Sequence, residues 1–417
     1  MTDKPKSIDT RTIHAGQQPE NWMWATQAPV VQSASHLFET AEGLSDVFAG
    51  KEPGHIYMRL RNPTNEALER RVADLEGGVG AVAVSSGMAA VTDTIMALMK
   101  SGGHLVAGRS LFMSTYLLFT GVLKKFDMEA TLCDPTKPEE WEAAITDDTR
   151  LLFTETIGNP VMDVPDIKRL SEIAHNAGLP LIVDNTLGTP WLFRPIEWGA
   201  DIVVHSTTKF LNGHGSAVGG VVIDSGNFDW EDKRFEDMKP FKDRAGNKAF
   251  LDRVWREIHI NFGTTAAPWH SYLTLIGMDT LHLRMERHCD NAAALADFLA
   301  GHPKVGWVRY PGREDSASYD TAKKQFGGRH FGGLLTFGLG NEKEAFDLIR
   351  HLEIAYHLAN LGDVKTLVIH PWSSQYVSFT DETRKDIGIF PELVRVSAGI
   401  EAKDDIIADF EQALAKV

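Results

Sequence analysis

Cysteine is almost missing from this chain: there are two in 417 residues, Cys133 and Cys289. Two thiols so far apart supply neither a disulfide framework nor a thiolate zinc site, and they suit a reducing compartment. Long apolar runs are missing too. No stretch approaches the roughly 18 residues of a membrane-spanning helix, and the opening MTDKPKSIDTRTIHAG has no apolar signal segment. An excess of positive charge is absent: 42 Lys and Arg stand against 57 Asp and Glu, a formal charge of −15. That balance disfavours nucleic acid and anionic membrane as partners. Internal repeats, low-complexity tracts, a Walker loop and a GxGxxG after the first apolar run are likewise lacking, so nucleotide-binding readings lose ground. What remains is an ordinary globular balance, 43% hydrophobic and 24% charged. The expectation is a cytoplasmic protein that acts on a small molecule.

Seven short apolar runs alternate with helical stretches: 81–84, 104–107, 129–133, 151–155, 180–184, 201–204 and 219–223. Their Val, Ile and Thr content favours strands buried on both faces of a mainly parallel sheet over a helical bundle. Before them, Leu68, Val72 and Leu75 recur at helical spacing and stop at Gly77-Gly78. Residues 224–262 are charged and aromatic and read as a connection, and a long helical stretch is expected over 269–300. The division read from this pattern is an N-terminal arm (1–64), a large α/β domain (65–262) and a smaller C-terminal α/β domain (263–417).

Ligands of an open parallel sheet sit beyond the strand C-termini, so the residues after each run carry the argument. After 81–84 come Ser85, Ser86, Gly87 and Met88, opening a helix whose free N–H groups suit a phosphate; a serine cap with a packing glycine is the alternative. After 180–184 the buried run ends on Asp184, which calls for a cation or several donors; no companion ligands nearby support a metal there. After 201–204 come Ser206, Thr207, Thr208 and Lys209, an amine among hydroxyls that is a candidate Schiff-base lysine or a plain surface lysine. A phosphate cradle, an acid for a ring nitrogen and an amine for an aldehyde are together what pyridoxal 5'-phosphate requires.

The segments YMRLRNPT (57–64), SSGMA (85–89), ETIGNP (155–160), DNT (184–186), HSTTK (205–209) and RVSAGIE (395–401) resemble the Cys/Met-metabolism family of pyridoxal-phosphate enzymes. That family includes cystathionine γ-synthase, γ-lyases and O-acetylhomoserine sulfhydrylase, and the likeness runs from about residue 8 to the C-terminus. HLANLGDVKTLVIHP (357–371) is most similar to the sulfhydrylases. The resemblance implies a type I aminotransferase-like α/β fold, and a homotetramer built as a dimer of dimers with shared active sites. It implies Lys209 as the catalytic Schiff-base lysine and Asp184 at the pyridine nitrogen. Ser86, Gly87, Met88, Ser206 and Thr208 would hold the phosphate, while Tyr57 and Arg59 would reach a neighbour's phosphate. Asn159 would lie near the phenolic oxygen or the substrate, and Asn360 and Arg395 would take the substrate carboxylate. Arg395 has separate support, because it interrupts an apolar run and a buried guanidinium needs a carboxylate; a structural ion pair is the alternative.

Two departures from the family stand out. Where it places a tyrosine over the cofactor ring, this chain has Phe112, which can stack but cannot protonate a leaving group at Cγ. General acids are worth about 10²–10⁴ in rate, so the loss weighs most on thioethers such as methionine or cystathionine. Oxygen-linked substrates need less help: an O-acylhomoserine leaves as a carboxylate, and the oxyguanidine of canavanine carries its own proton. Alternatively Tyr116, or a water it holds, supplies the proton. The second departure is Trp372, Gln375 and Tyr376 after His370-Pro371. With Trp22 and Trp24 they read as an aromatic side-chain pocket or as peripheral packing. The expected reaction is γ-replacement or γ-elimination on an oxygen-substituted homoserine, with thioether chemistry as the alternative.

Overall fold

A computed structural model describes residues 6–417. All seven apolar runs are strands: β1 (Gly80–Val84), β2 (His104–Gly108), β3 (Glu129–Cys133), β4 (Thr149–Glu155), β5 (Leu181–Asp184), β6 (Ile202–Ser206) and β7 (Gly220–Asp224). They form one sheet in the order β1-β7-β6-β5-β4-β2-β3. Only β7 runs antiparallel to its neighbours. The reason for continuous apolar runs is visible along β6: Ile202 and Val204 face one apolar layer and Val203 the other. Both faces are covered, so alternation with polar residues is lost.

The first of the covering helices, α1 (Pro63–Glu76), starts where Asn62 accepts the N–H groups of Thr64 and Asn65, with proline in the first turn. Leu68, Val72 and Leu75 form its buried face. A second, α2 (Gly87–Leu98), begins directly after β1 and is capped by Ser86, whose hydroxyl accepts the Ala89 N–H at 3.1 Å.

A smaller five-stranded sheet follows: β8 (Trp307–Arg309), β9 (Leu334–Gly338), β10 (Tyr356–His357), β11 (Leu367–Ile369) and β12 (Leu393–Ser397), in the order β10-β11-β12-β9-β8. It is antiparallel except for β10 beside β11. The loop after β10 presses on the large sheet's site. Gly362 there has φ 73°, and a Cβ would stand 2.6 Å from the Phe210 nitrogen, one residue past Lys209.

Two expectations need correction. The helical stretch 269–300 is two helices, α3 (Pro268–Met278) and α4 (Leu281–Gly301), because the backbone leaves helical geometry at Thr280 (φ −111°), beside Asp279, whose carboxylate meets the buried Arg71 of α1 at 2.6 Å. The supposed connection 224–262 is mostly short helices from Lys233 to Phe262. Three of its aromatics, Phe235, Phe241 and Phe250, lie on their buried face and pack against the sheet, whereas Phe262 is exposed. The arm carries helices Ile8–His14 and Ala41–Phe48, with Trp22 buried and Trp24 77% exposed. Among the described residues no helix is long and apolar enough to cross a membrane.

Candidate active site

The C-terminal ends of β1, β4, β5 and β6 open into one cavity of about 250 Å³, closed on its far side by the loop after β10 and by β12. Ser86, Gly87, Met88, Phe112, Asn159, Asp184, Ser206, Thr208, Lys209, Asn360 and Arg395 all line it. Residues scattered over some three hundred positions therefore meet for a topological reason. Parallel strands end together, and β4, β5 and β6 end on the polar residues Glu155, Asp184 and Ser206.

At one side the N-terminus of α2 lies against Ser206. A Cβ on Gly87 would sit 2.5 Å from the Ser206 Cβ, so only glycine lets the helix start approach this strand end. Ser206 N–H is held by the Thr186 hydroxyl at 2.8 Å, and the Thr208 hydroxyl accepts the Gly219 N–H at 3.1 Å. At the floor, Asp184 receives the Thr186 N–H at 2.9 Å. Burial raises the Asp184 carboxyl above its ordinary range, against the pull of Thr186 and His205. A buried carboxyl in that position is stabilised by a cationic ligand.

Lys209 donates to the Asn360 Oδ1 at 2.6 Å. Burial, helped by the charge of Arg395, pushes its amine down to about 8. Arg395 is 2% exposed and pushed down to about 10 by burial. Its hydrogen bonds all go to neutral oxygens: Asn159 Oδ1 at 3.0 Å, Gln375 Oε1 at 3.2 Å and the Asn360 carbonyl at 3.0 Å. The structural ion pair considered from sequence is thus not what holds it. A charged guanidinium lodged among neutral acceptors keeps the capacity to pair with a carboxylate.

These residues fit pyridoxal phosphate. The glycine-dependent helix start offers N–H groups to a phosphate, Asp184 lacks the cation its burial calls for, and Lys209 offers an amine of lowered basicity.

Some expected residues lie elsewhere. Tyr57 and Arg59 are exposed and outside their own chain's cavity, with the Arg59 guanidinium 5.6 Å from the Tyr57 ring centroid. Tyr116 does not line the cavity and packs on Phe379 at 5.1 Å. Trp372 and Tyr376 belong to a separate apolar cluster with Phe379, Ile387 and Ile389, and Trp22 to the main core, so the aromatic pocket is packing. Glu155 and Thr186 line the cavity but were given no role from sequence, and Gln375, noted only as part of the aromatic departure, lines it too. Glu155 carried a usable signal: like Asp184, it is an acid ending a buried apolar run. Gln375 sits in an irregular segment with none.

A site of this make-up on a mainly parallel sheet defines a pyridoxal-phosphate enzyme of type I fold. The chain belongs to the Cys/Met metabolism PLP-dependent enzyme family, whose model matches residues 9–415. It is 40% identical over 427 residues to homocysteine synthase of Schizosaccharomyces pombe, covering 99% of both chains. With O-acetyl-L-homoserine sulfhydrylase of Corynebacterium glutamicum it shares 41% over 425 residues, 98% of this chain and 97% of that one. A Campylobacter jejuni crystal structure, described as a putative O-acetylhomoserine (thiol)-lyase with an N'-pyridoxyl-lysine-5'-monophosphate, superposes with a TM-score of 0.94. It is 31% identical, over 98% of this chain and 100% of that one. The protein is accordingly a pyridoxal-phosphate-dependent enzyme of sulfur amino-acid metabolism.

A lysine amine shifted to about 8 is neutral, and so nucleophilic, at far lower pH than an exposed lysine. In cofactor-free protein the rate of pyridoxal-phosphate addition should therefore rise through pH of about 8 and level off above it. Borohydride reduction and peptide mapping should find the adduct on Lys209. An adduct on another lysine, or a rate still climbing towards pH of about 10, would contradict the assignment.

Proposed function

We propose that this enzyme replaces the γ-substituent of an O-acylhomoserine with a sulfur nucleophile such as sulfide. Replacement is supported by the relatives named homocysteine synthase and O-acetyl-L-homoserine sulfhydrylase. The observation that carries the oxygen ester is that, among the described residues of the same chain, no tyrosine lines the cavity and its one aromatic ring is that of Phe112.

Bound pyridoxal phosphate supplies an electron sink for the pair left at Cα when its C–H bond breaks. Lys209 is the base that takes the Cα proton, then one from Cβ, and returns them. Its lowered basicity leaves a useful neutral fraction near neutral pH, and Asn360 orients it. Arg395 receives the α-carboxylate, with Asn159, Gln375 and Asn360 fixing the guanidinium plane. Phe112 contributes a flat apolar face. The Cγ–O bond breaks with its electron pair on the departing acyl carboxylate, a weak base that needs no proton. The sulfur nucleophile then forms the Cγ–S bond. A thioether must instead expel a thiolate, a stronger base that gains more from a proton donor, and Phe112 offers none.

Phe112→Tyr restores a phenol at that position. It should raise kcat/KM for a thioether such as cystathionine by about tenfold or more while changing O-acetylhomoserine far less. Steady-state kinetics on both substrates in both proteins, with and without sulfide, decide it. A wild type that already prefers thioethers, or one common factor for all substrates, would refute the leaving-group argument.

We further propose that the enzyme works in the cytoplasm as a dimer of dimers, with Tyr57 and Arg59 of one copy completing the phosphate cradle of another. Support comes from their exposure outside their own cavity, from the exposed Trp24, Leu37 and Phe48 of the arm, and from two buried unpaired cysteines. Mixing inactive Lys209→Ala with inactive Arg59→Ala subunits should then recover part of the activity, because a hybrid pair carries one intact site. No recovery after demonstrated subunit exchange would count against shared sites.

A further inference from the structure

Two carboxyl groups meet on the cavity floor, and only one has a part in the reaction as described so far. β4 and β5 are parallel neighbours with Glu155 in register with Asp184. Register partners on neighbouring strands point to the same face, about 5 Å apart. Both side chains line the cavity. Two ionised carboxylates that close, away from water, repel strongly enough that the pair holds one proton.

The hydrogen bonds decide where that proton sits. Asp184 is served by Thr186, through its N–H at 2.9 Å and its side chain. Glu155 receives one donor, the Phe112 N–H at 2.6 Å. Burial first, and the neighbouring Asp184 second, hold the Glu155 carboxyl well above its ordinary range. The anion therefore belongs to Asp184 and the proton to Glu155.

Glu155 also touches the segment that carries the stacking ring. That turn is tied at three successive residues. Ser110 donates to Asp163 at 2.6 Å, the Leu111 carbonyl accepts the Tyr376 hydroxyl at 3.5 Å, and Phe112 donates to Glu155. Of the three tying side chains, only Glu155 lines the cavity.

We propose that Glu155 is a positioning residue: held as the neutral acid at the end of β4, it anchors the Phe112 backbone from the cavity floor and leaves Asp184 as the sole anion for the cofactor's ring nitrogen. One protonated ring nitrogen is then matched by one carboxylate, with no surplus buried charge. The inference rests on the pairing of Asp184 with that nitrogen, so Asp184→Asn is tested alongside.

The test measures pyridoxal-phosphate affinity and the visible circular dichroism of the bound cofactor, which reports how the ring is held, in the wild type, Glu155→Gln, Glu155→Leu and Asp184→Asn. An amide has the shape of a neutral acid, with an acceptor for the Phe112 N–H and donors beside Asp184. Glu155→Gln should therefore keep both signals within about threefold. Glu155→Leu strands the Phe112 N–H and should weaken cofactor binding about tenfold and diminish the dichroism. If Glu155→Gln loses as much as Glu155→Leu, an ionised carboxylate is required and the proposal falls. It falls equally if Glu155→Leu matches the wild type. Should Glu155→Leu fail to fold, Glu155→Gln decides alone. Asp184→Asn retaining both signals would overturn the nitrogen assignment and the inference with it. If Asp184→Asn loses them while Glu155→Gln also does, the assignment stands and only the inference is lost.

Discussion

Lys209, half-buried, and Arg395, fully buried, face the same small cavity and repel each other. Neither has a carboxylate to neutralise it, so the surrounding structure solvates them with neutral oxygens. Asn360 serves both: its side chain takes the Lys209 amine at 2.6 Å and its carbonyl takes the guanidinium at 3.0 Å. The two cations respond differently because of their chemistry. A desolvated amine gives up its proton within reach of neutral pH, whereas a guanidinium pushed down to about 10 remains charged. One dry cavity thus holds a base and a permanent cation side by side. The same excess of positive charge, set above the single anion on the floor, favours ligands that bring phosphate and carboxylate.

This arrangement explains why two sheets are needed. The large sheet delivers Asp184, Ser206 and Lys209 from adjacent strand ends, while Asn360, Gln375 and Arg395 come from the smaller sheet and its loops. Gly362 allows the second set to press against the first, since any side chain there would meet the Phe210 backbone. The contact that closes the cavity also carries Asn360, so the lysine amine and the buried guanidinium are held from one place.

Strands were legible because residues covered on both faces must be apolar throughout, and every such run in 81–223 is a strand. Asp184 and Lys209 were legible for the complementary reason, as charges placed directly after such runs. The helices of 224–262 were obscured because their buried side is a few aromatics among many charges. The break between Met278 and Leu281 sits where Asp279 pairs with Arg71, some two hundred residues away, and no local pattern announces it. Trp372 and Tyr376 stood out by residue type, yet what a large aromatic touches is set by tertiary packing; they buttress one another while Gln375 between them turns to Arg395. Phe112 could be identified as a departure from sequence alone. That neither Tyr116 nor Tyr376 lines the cavity needed the structure.

The claim on which the account turns is that Arg395 is a charged receptor held open for a carboxylate. It is tested most directly by measuring, through the cofactor's absorbance, the binding of L-homoserine and of the same amine lacking its carboxylate, to wild type and to Arg395→Ala. Breaking a buried guanidinium–carboxylate pair costs several kcal/mol, so the wild type should prefer the amino acid by about a hundredfold or more, and the preference should vanish in Arg395→Ala. A preference of the same size in both proteins would mean that the carboxylate is bound elsewhere.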